Sequence, residues 1–132
     1  MALVLDASAV LAFLRDEEGA ARVEEALALD TTYIHAVNLC EVYYDLLRNH
    51  DETVAELAVD ILAKNGVITV EDLTLPLLRV AARLKAQGSV ALGDVFAIAL
   101  AMRQGIPVLT CDRGEFSAFA ESGSVAVEFL RA

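Results

Sequence analysis

Leu3-Val4-Leu5-Asp6-Ala7-Ser8-Ala9-Val10-Leu11 opens the chain. Three apolar residues run into a carboxylate, then into a small-residue turn and a helical pattern. A short apolar run ended by an acid reads as a buried parallel strand with Asp6 at its carboxyl end. Open α/β sheets place their sites just outside the carboxyl ends of strands. Asp6 therefore marks the edge to which other functional residues should come.

Working outward, strands are expected at about 3–5, 32–35, 67–70, 107–110 and 126–129. Helices are expected at about 8–15, 20–29, 38–50, 52–64, 74–86, 95–103 and 115–120. Ser8 reads as the N-cap of the first helix. Asn38 reads as the opening of the third, with Glu41 in its first turn at capping-box spacing. Pro76 falls in the first turn of the fifth. Gly93-Asp94 opens a sixth helix that is apolar nearly all round and so is expected to be buried. Strands alternating with helices imply a mostly parallel sheet covered on both faces. No repeat or linker interrupts it, so residues 1–132 read as one α/β domain.

Composition fits that reading. A chain of 132 residues suits one domain, and a hydrophobic fraction of 57% promises a generous core. The longest apolar runs are too short to span a bilayer, and no basic region precedes an apolar one at the N-terminus. No membrane segment and a cytoplasmic location are the expectations. Cys40 and Cys111 form no CxxC pattern, and His35 and His50 are not paired at zinc spacing, so a zinc site is not expected. Both cysteines read as buried small hydrophobes in a reducing compartment. The net charge of −10 argues against a broad electrostatic grip on nucleic acid. It leaves a small-molecule enzyme, an acidic metal site, or a protein with a basic partner.

Four carboxylates stand apart from the surface acids. Asp6 and Asp112 end apolar strands. Glu41 and Asp94 lie at helix starts, each flanked by apolar residues. Singly, each has a local explanation: Asp6 as a helix cap, Glu41 as half of a capping box, Asp94 as a first-turn acid favoured by the helix dipole, Asp112 as a turn residue. Together they can converge on one sheet edge. A buried carboxylate is costly unless paired, hydrogen-bonded or metal-bound, and oxygen-only ligands suit Mg²⁺ or Mn²⁺. Ser8 and Thr110, two residues from Asp6 and Asp112, could orient the carboxylates. Asn38 could hydrogen-bond into the same site.

The blocks Val4-Leu5-Asp6-Ala7-Ser8, Asn38-Leu39-Cys40-Glu41-Val42, Leu92-Gly93-Asp94-Val95-Phe96-Ala97 and Pro107-Val108-Leu109-Thr110-Cys111-Asp112 together resemble the PIN-domain ribonucleases. More narrowly they resemble the VapC-type toxins of bacterial toxin–antitoxin pairs. The resemblance covers the whole chain. It implies a PIN-like three-layer domain with a five-stranded sheet in order 3-2-1-4-5 and about seven helices. It implies that Asp6, Glu41, Asp94 and Asp112 are the catalytic quartet that binds Mg²⁺ or Mn²⁺, with Ser8 and Thr110 as supporting hydroxyls. The implied reaction is metal-dependent endoribonuclease hydrolysis of RNA phosphodiester bonds, leaving 5′-phosphate and 3′-hydroxyl ends. The implied partners are RNA, a cognate antitoxin and a second copy in a homodimer.

Arg15 and Arg113 are the nearest cations for steering a phosphate. Tyr43, Tyr44, Leu46 and Leu47 could line an antitoxin groove or a dimer contact, with core packing the simpler reading for both leucines. Two rival functions remain at this level. A phosphotransfer or phosphatase domain would also gather acids and Mg²⁺, but it needs a lysine at a strand end. A non-catalytic interaction module would have acids that only cap.

Overall fold

The computed structural model of the chain describes residues 1–132. Strands β1 (Ala2–Leu5), β2 (Thr31–His35), β3 (Ile68–Val70), β4 (Val108–Thr110) and β5 (Val127–Phe129) form one sheet in order β3-β2-β1-β4-β5. Every pairing is parallel. The helices are α1 (Ala7–Leu14), α2 (Ala20–Leu29), α3 (Ala36–Asn49), α4 (Glu52–Lys64), α5 (Leu75–Ala86), α6 (Leu92–Gln104) and α7 (Arg113–Ser122). The expected strand order and helix number both hold. From β1 the chain winds outward to β3, then returns to lay β4 and β5 on the other side. The order therefore reverses between β1 and β4, where open sheets form their crevices.

Alternation along β1 divides the core. Val4 faces one side, where it joins Leu77, Ile98, Leu100 and Phe116. Leu3 and Leu5 face the other, with Val10, Val23, Val42 and Leu62. Helix α6 contributes seven consecutive buried residues, Val95–Ala101, as its all-round apolar pattern requires. No helix is long and apolar enough to cross a membrane.

Several helix starts differ from expectation, each for a local reason. Asp6, not Ser8, caps α1: its carboxylate accepts from the Ala9 amide, and Ser8 lies inside the helix. Helix α3 starts at Ala36, because the His35 ring caps it through Nδ1, which accepts from the Val37 amide at 3.0 Å. The His35 Nε2–H donates to the Asp72 carbonyl. Asn38 is thus buried within α3, and Glu41 lies in its second turn. Helix α6 begins at Leu92, which keeps Asp94 in its first turn. Helix α7 is longer than expected because Asp112 caps it directly.

Cys40 is exposed rather than buried, Cys111 is half-buried, and both are free thiols. Leu46 is buried, but Leu47 is not the core residue expected: it and Tyr44 stand open on α3.

Candidate metal centre

Asp6 is almost wholly buried, at 1% exposure. Its Oδ1 accepts from Ser8 Oγ at 2.8 Å and from the Ala9 amide at 2.9 Å, and its Oδ2 accepts from Thr110 Oγ1 at 2.6 Å. Both hydroxyls also accept a backbone amide at the exit of β4. Cys111 N donates to Ser8 Oγ at 2.9 Å, and Asp112 N donates to Thr110 Oγ1 at 3.0 Å. With its lone pairs facing the amides, each hydroxyl directs its proton to Asp6. Burial raises Asp6 to about 6, against the pull of these hydrogen bonds, and the charge of Glu41 adds to the rise.

Asp94 contrasts with it. Its carboxylate makes no hydrogen bond in the chain, and it is pushed up to about 7. Desolvation is the largest cause; then come the charges of Asp6, Glu41, Asp112 and Glu115. From α6, Asp94 feels carboxylates from the end of β1, from α3 and from the start of α7. Oxygens of Asp94, Asp112 and Glu115 lie within 4.8 Å of one another. Opposite ligands of one Mg²⁺ stand about 4.2 Å apart. Adjacent ligands stand about 3 Å apart, so the three oxygens would draw together to share one cation, and as hard carboxylate donors they suit the ion.

Glu41 is placed by two features. Its carboxylate lies directly over Gly93: a Cβ there would come within 2.2 Å of Oε1 and 2.6 Å of Oε2. Only glycine permits this approach. Asn38 Nδ2 then donates both to Glu41 Oε1 and to the Gly93 carbonyl, each at 2.9 Å, tying α3 to the start of α6. Asn38 Oδ1 is the one buried side-chain polar atom with no partner. An orphan acceptor beside a carboxylate suits a site that also holds water or an ion.

Asp112 caps α7, its Oδ1 accepting from the Glu115 amide at 3.0 Å and its other oxygen unpartnered. Capping thus accounts for Asp6 and, in place of the expected turn, for Asp112; Asp94 keeps the first-turn place that the helix dipole favours, and Glu41 caps nothing. Glu115 was not among the residues singled out from sequence. Its signal was the Asp-x-x-Glu spacing after a strand, which sets both carboxylates on the first turn of one helix. Its Oε2 also accepts from the Ala91 amide at 3.4 Å.

The cations sit differently. Arg15 is engaged in an ion pair with Asp45 that joins α1 to α3. Arg113 lies with its guanidinium 4.5 Å from the centre of the Phe129 ring, its Nε donating to the Arg131 carbonyl. No lysine follows a strand: Lys64 ends α4, and Lys85 lies in α5 with its Nζ donating to the Val90 carbonyl. A phosphotransfer site of the kind weighed above lacks its cation here.

No curated protein sequence matches the chain. Its structure is similar to VapBC2 from Rickettsia felis, solved bound to a DNA fragment from their promoter, with a TM-score of 0.75 and 15% identity over 98% of each chain. It is similar to the Sarcin-Ricin loop cleaving toxin VapC20 from Mycobacterium tuberculosis, with a TM-score of 0.71 and 17% identity over 88% of this chain and 94% of that one. VapBC-5 from Mycobacterium tuberculosis, of the VapBC family of toxin–antitoxin systems, gives a TM-score of 0.61 and 24% identity over 99% and 98% of the two chains. At these identities the likeness is one of fold. The PIN domain family model matches residues 3–122, a span that includes all five clustered acids, and the chain belongs to that family.

Proposed function

We propose that the protein is a metal-dependent endoribonuclease and the toxin of a toxin–antitoxin pair. The observation that carries this reading is Asp94, a half-buried carboxylate without a hydrogen bond, raised to about 7 by burial and four surrounding acids. A fold keeps so unfavourable a group where something outside the chain neutralises it. Asp6, Glu41, Asp94 and Asp112 are the catalytic acids in this reading, with Glu115 joining Asp94 and Asp112 as a third oxygen donor. Mg²⁺ is the favoured ion and Mn²⁺ the alternative, since the donors are all hard oxygens.

A bound divalent cation would lower the pKa of a coordinated water and offset charge on the scissile phosphate. The chain's residues prepare that chemistry. Ser8 and Thr110 hold the Asp6 carboxylate at one angle and keep it an acceptor. Asn38 and Gly93 hold Glu41 in place. Arg113, next to Asp112 with only its Nε committed to a hydrogen bond, would guide the phosphate in; Arg15 would first have to leave Asp45. The antitoxin would present a basic side chain to the acidic edge. Tyr44 and Leu47 would serve that contact or a homodimer.

The test is cleavage of single-stranded and structured RNA by the purified chain, freed of any partner, with Mg²⁺, Mn²⁺ or EDTA, beside Asp94→Asn. Cleavage that needs the metal and disappears in the variant is the expected result. Cleavage in EDTA, or equal cleavage by the variant, would overturn the reading.

A further inference from the structure

A cleft of about 400 Å³ opens between the α5–α6 turn and α7. It shares a wall with the acid cluster: Glu115 lines it, and so does Gly114, beside Asp112. A polymer whose phosphate lies on the acids can therefore reach the mouth of this cleft with an adjoining nucleotide.

The lining chemistry selects what enters. The floor is apolar, formed by Leu84, Val90 and Phe119. The rim is polar and uncharged, with Gln87, Ser89 and Ser124. The Gln87 and Ser89 side chains make no hydrogen bonds within the chain. Ser122 donates to the Phe119 carbonyl, so Ser124 donates to Ser122 and keeps its own lone pairs for a ligand. No cation lines the cleft, and its single charged group is Glu115. A second phosphate is thus disfavoured. A flat, neutral group with a polar edge is favoured, which describes a nucleobase, and single-stranded RNA is read by bases splayed into such pockets. The neighbouring trough between α5 and α6, over Leu78, Leu92 and Phe96, offers one polar side chain, Lys85, and no comparable edge to read.

We infer that the cleft between the α5–α6 turn and α7 is a nucleobase subsite for the nucleotide next to the scissile phosphate. This rests on the reading of the acids as an RNA-cleaving centre. The subsite gives an acidic protein a way to hold RNA by one base rather than by a basic surface.

The test has two arms. In the first, ¹⁵N-labelled full-length protein is titrated with the four nucleoside 5′-monophosphates and with ribose 5-phosphate, all with Mg²⁺. Nucleotides should shift the amides of Gln87, Gly88, Ser89 and Ala118, with one base strongest and ribose 5-phosphate at least tenfold weaker. Ala118→Trp, which fills the cleft from an exposed helix position, should abolish those shifts while leaving the rest of the spectrum intact. In the second arm, an abasic ribonucleotide beside the cut should slow the wild type at least tenfold, while Ala118→Trp should cut intact and abasic substrates alike. Equal shifts from ribose 5-phosphate, or cleavage indifferent to the abasic position, would overturn the subsite while leaving the nuclease standing. Base-dependent shifts in a protein that cuts no RNA with either metal would leave a base-binding cleft but sink the nuclease, and with it the place of the cleft beside a scissile phosphate.

Discussion

Two halves of the acidic edge are built in opposite ways. Around Asp6, each carboxylate oxygen has a donor, and each supporting hydroxyl is itself oriented by an amide of the β4 exit. Around Asp94, a carboxylate stands without a hydrogen bond among four others. Both groups are raised, Asp6 to about 6 and Asp94 to about 7. Burial is the main cause in both; hydrogen bonds restrain the first, while like charges add to the second. The first half is a rigid reference. The second stores repulsion that a cation would relieve.

The largest expected effect lies in the second half. Asp94→Asn should cost more cleavage activity than the roughly 100-fold that losing a supporting partner costs a metal site, yet it should raise the melting temperature without metal. Measuring both on one preparation breaks the comparison if stability falls. Gly93→Ala comes next. The added methyl would displace the flexible Glu41 carboxylate and separate it from Asn38. Cleavage or metal affinity should fall roughly 10–100-fold with the far-ultraviolet circular dichroism unchanged.

In the first half, Thr110→Val should act on stability. It leaves the Asp112 amide and Asp6 Oδ2 without their buried partner, a cost of about 1–3 kcal/mol by denaturant unfolding. An unchanged midpoint would mean that Asp6 is not held as described.

A last test sharpens the contrast through pH. Folded Asp6 and Asp94 keep their protons to about 6 and about 7, against 3.8 for an ordinary aspartate. Between those values the folded chain binds more protons than the unfolded one, so metal-free stability should fall as pH rises from about 4 to 7. Cations compete with those protons, so the melting-temperature gain from Mg²⁺ should grow over the same range. Thermal scans with EDTA and with Mg²⁺ check both slopes.

Much of this was legible in the residues. Apolar triplets ending in Asp6 and Thr110-Cys111-Asp112 marked the strand ends, and the all-round apolar 95–103 stretch marked the buried helix. What was not legible depended on contacts between distant parts of the chain or on unusual caps. Asn38 resembled a cap because the true cap, His35, is not a residue usually read as one. Its side chain instead reaches Gly93, 55 residues away. Ser8 and Asp6 are both favoured N-cap types two residues apart, and local sequence does not choose between them; the partners of Ser8 are Asp6 and an amide 103 residues on. Glu115 drew no notice in the sequence, because nothing local shows that α7 brings it to Asp94.

The contact between Glu41 and the bare backbone at position 93 has an evolutionary corollary. Every glycine codon becomes an alanine codon by one base change. If the activity harms its own cell, selection for survivors should repeatedly find this substitution, since it spares the fold and leaves the protein abundant but harmless.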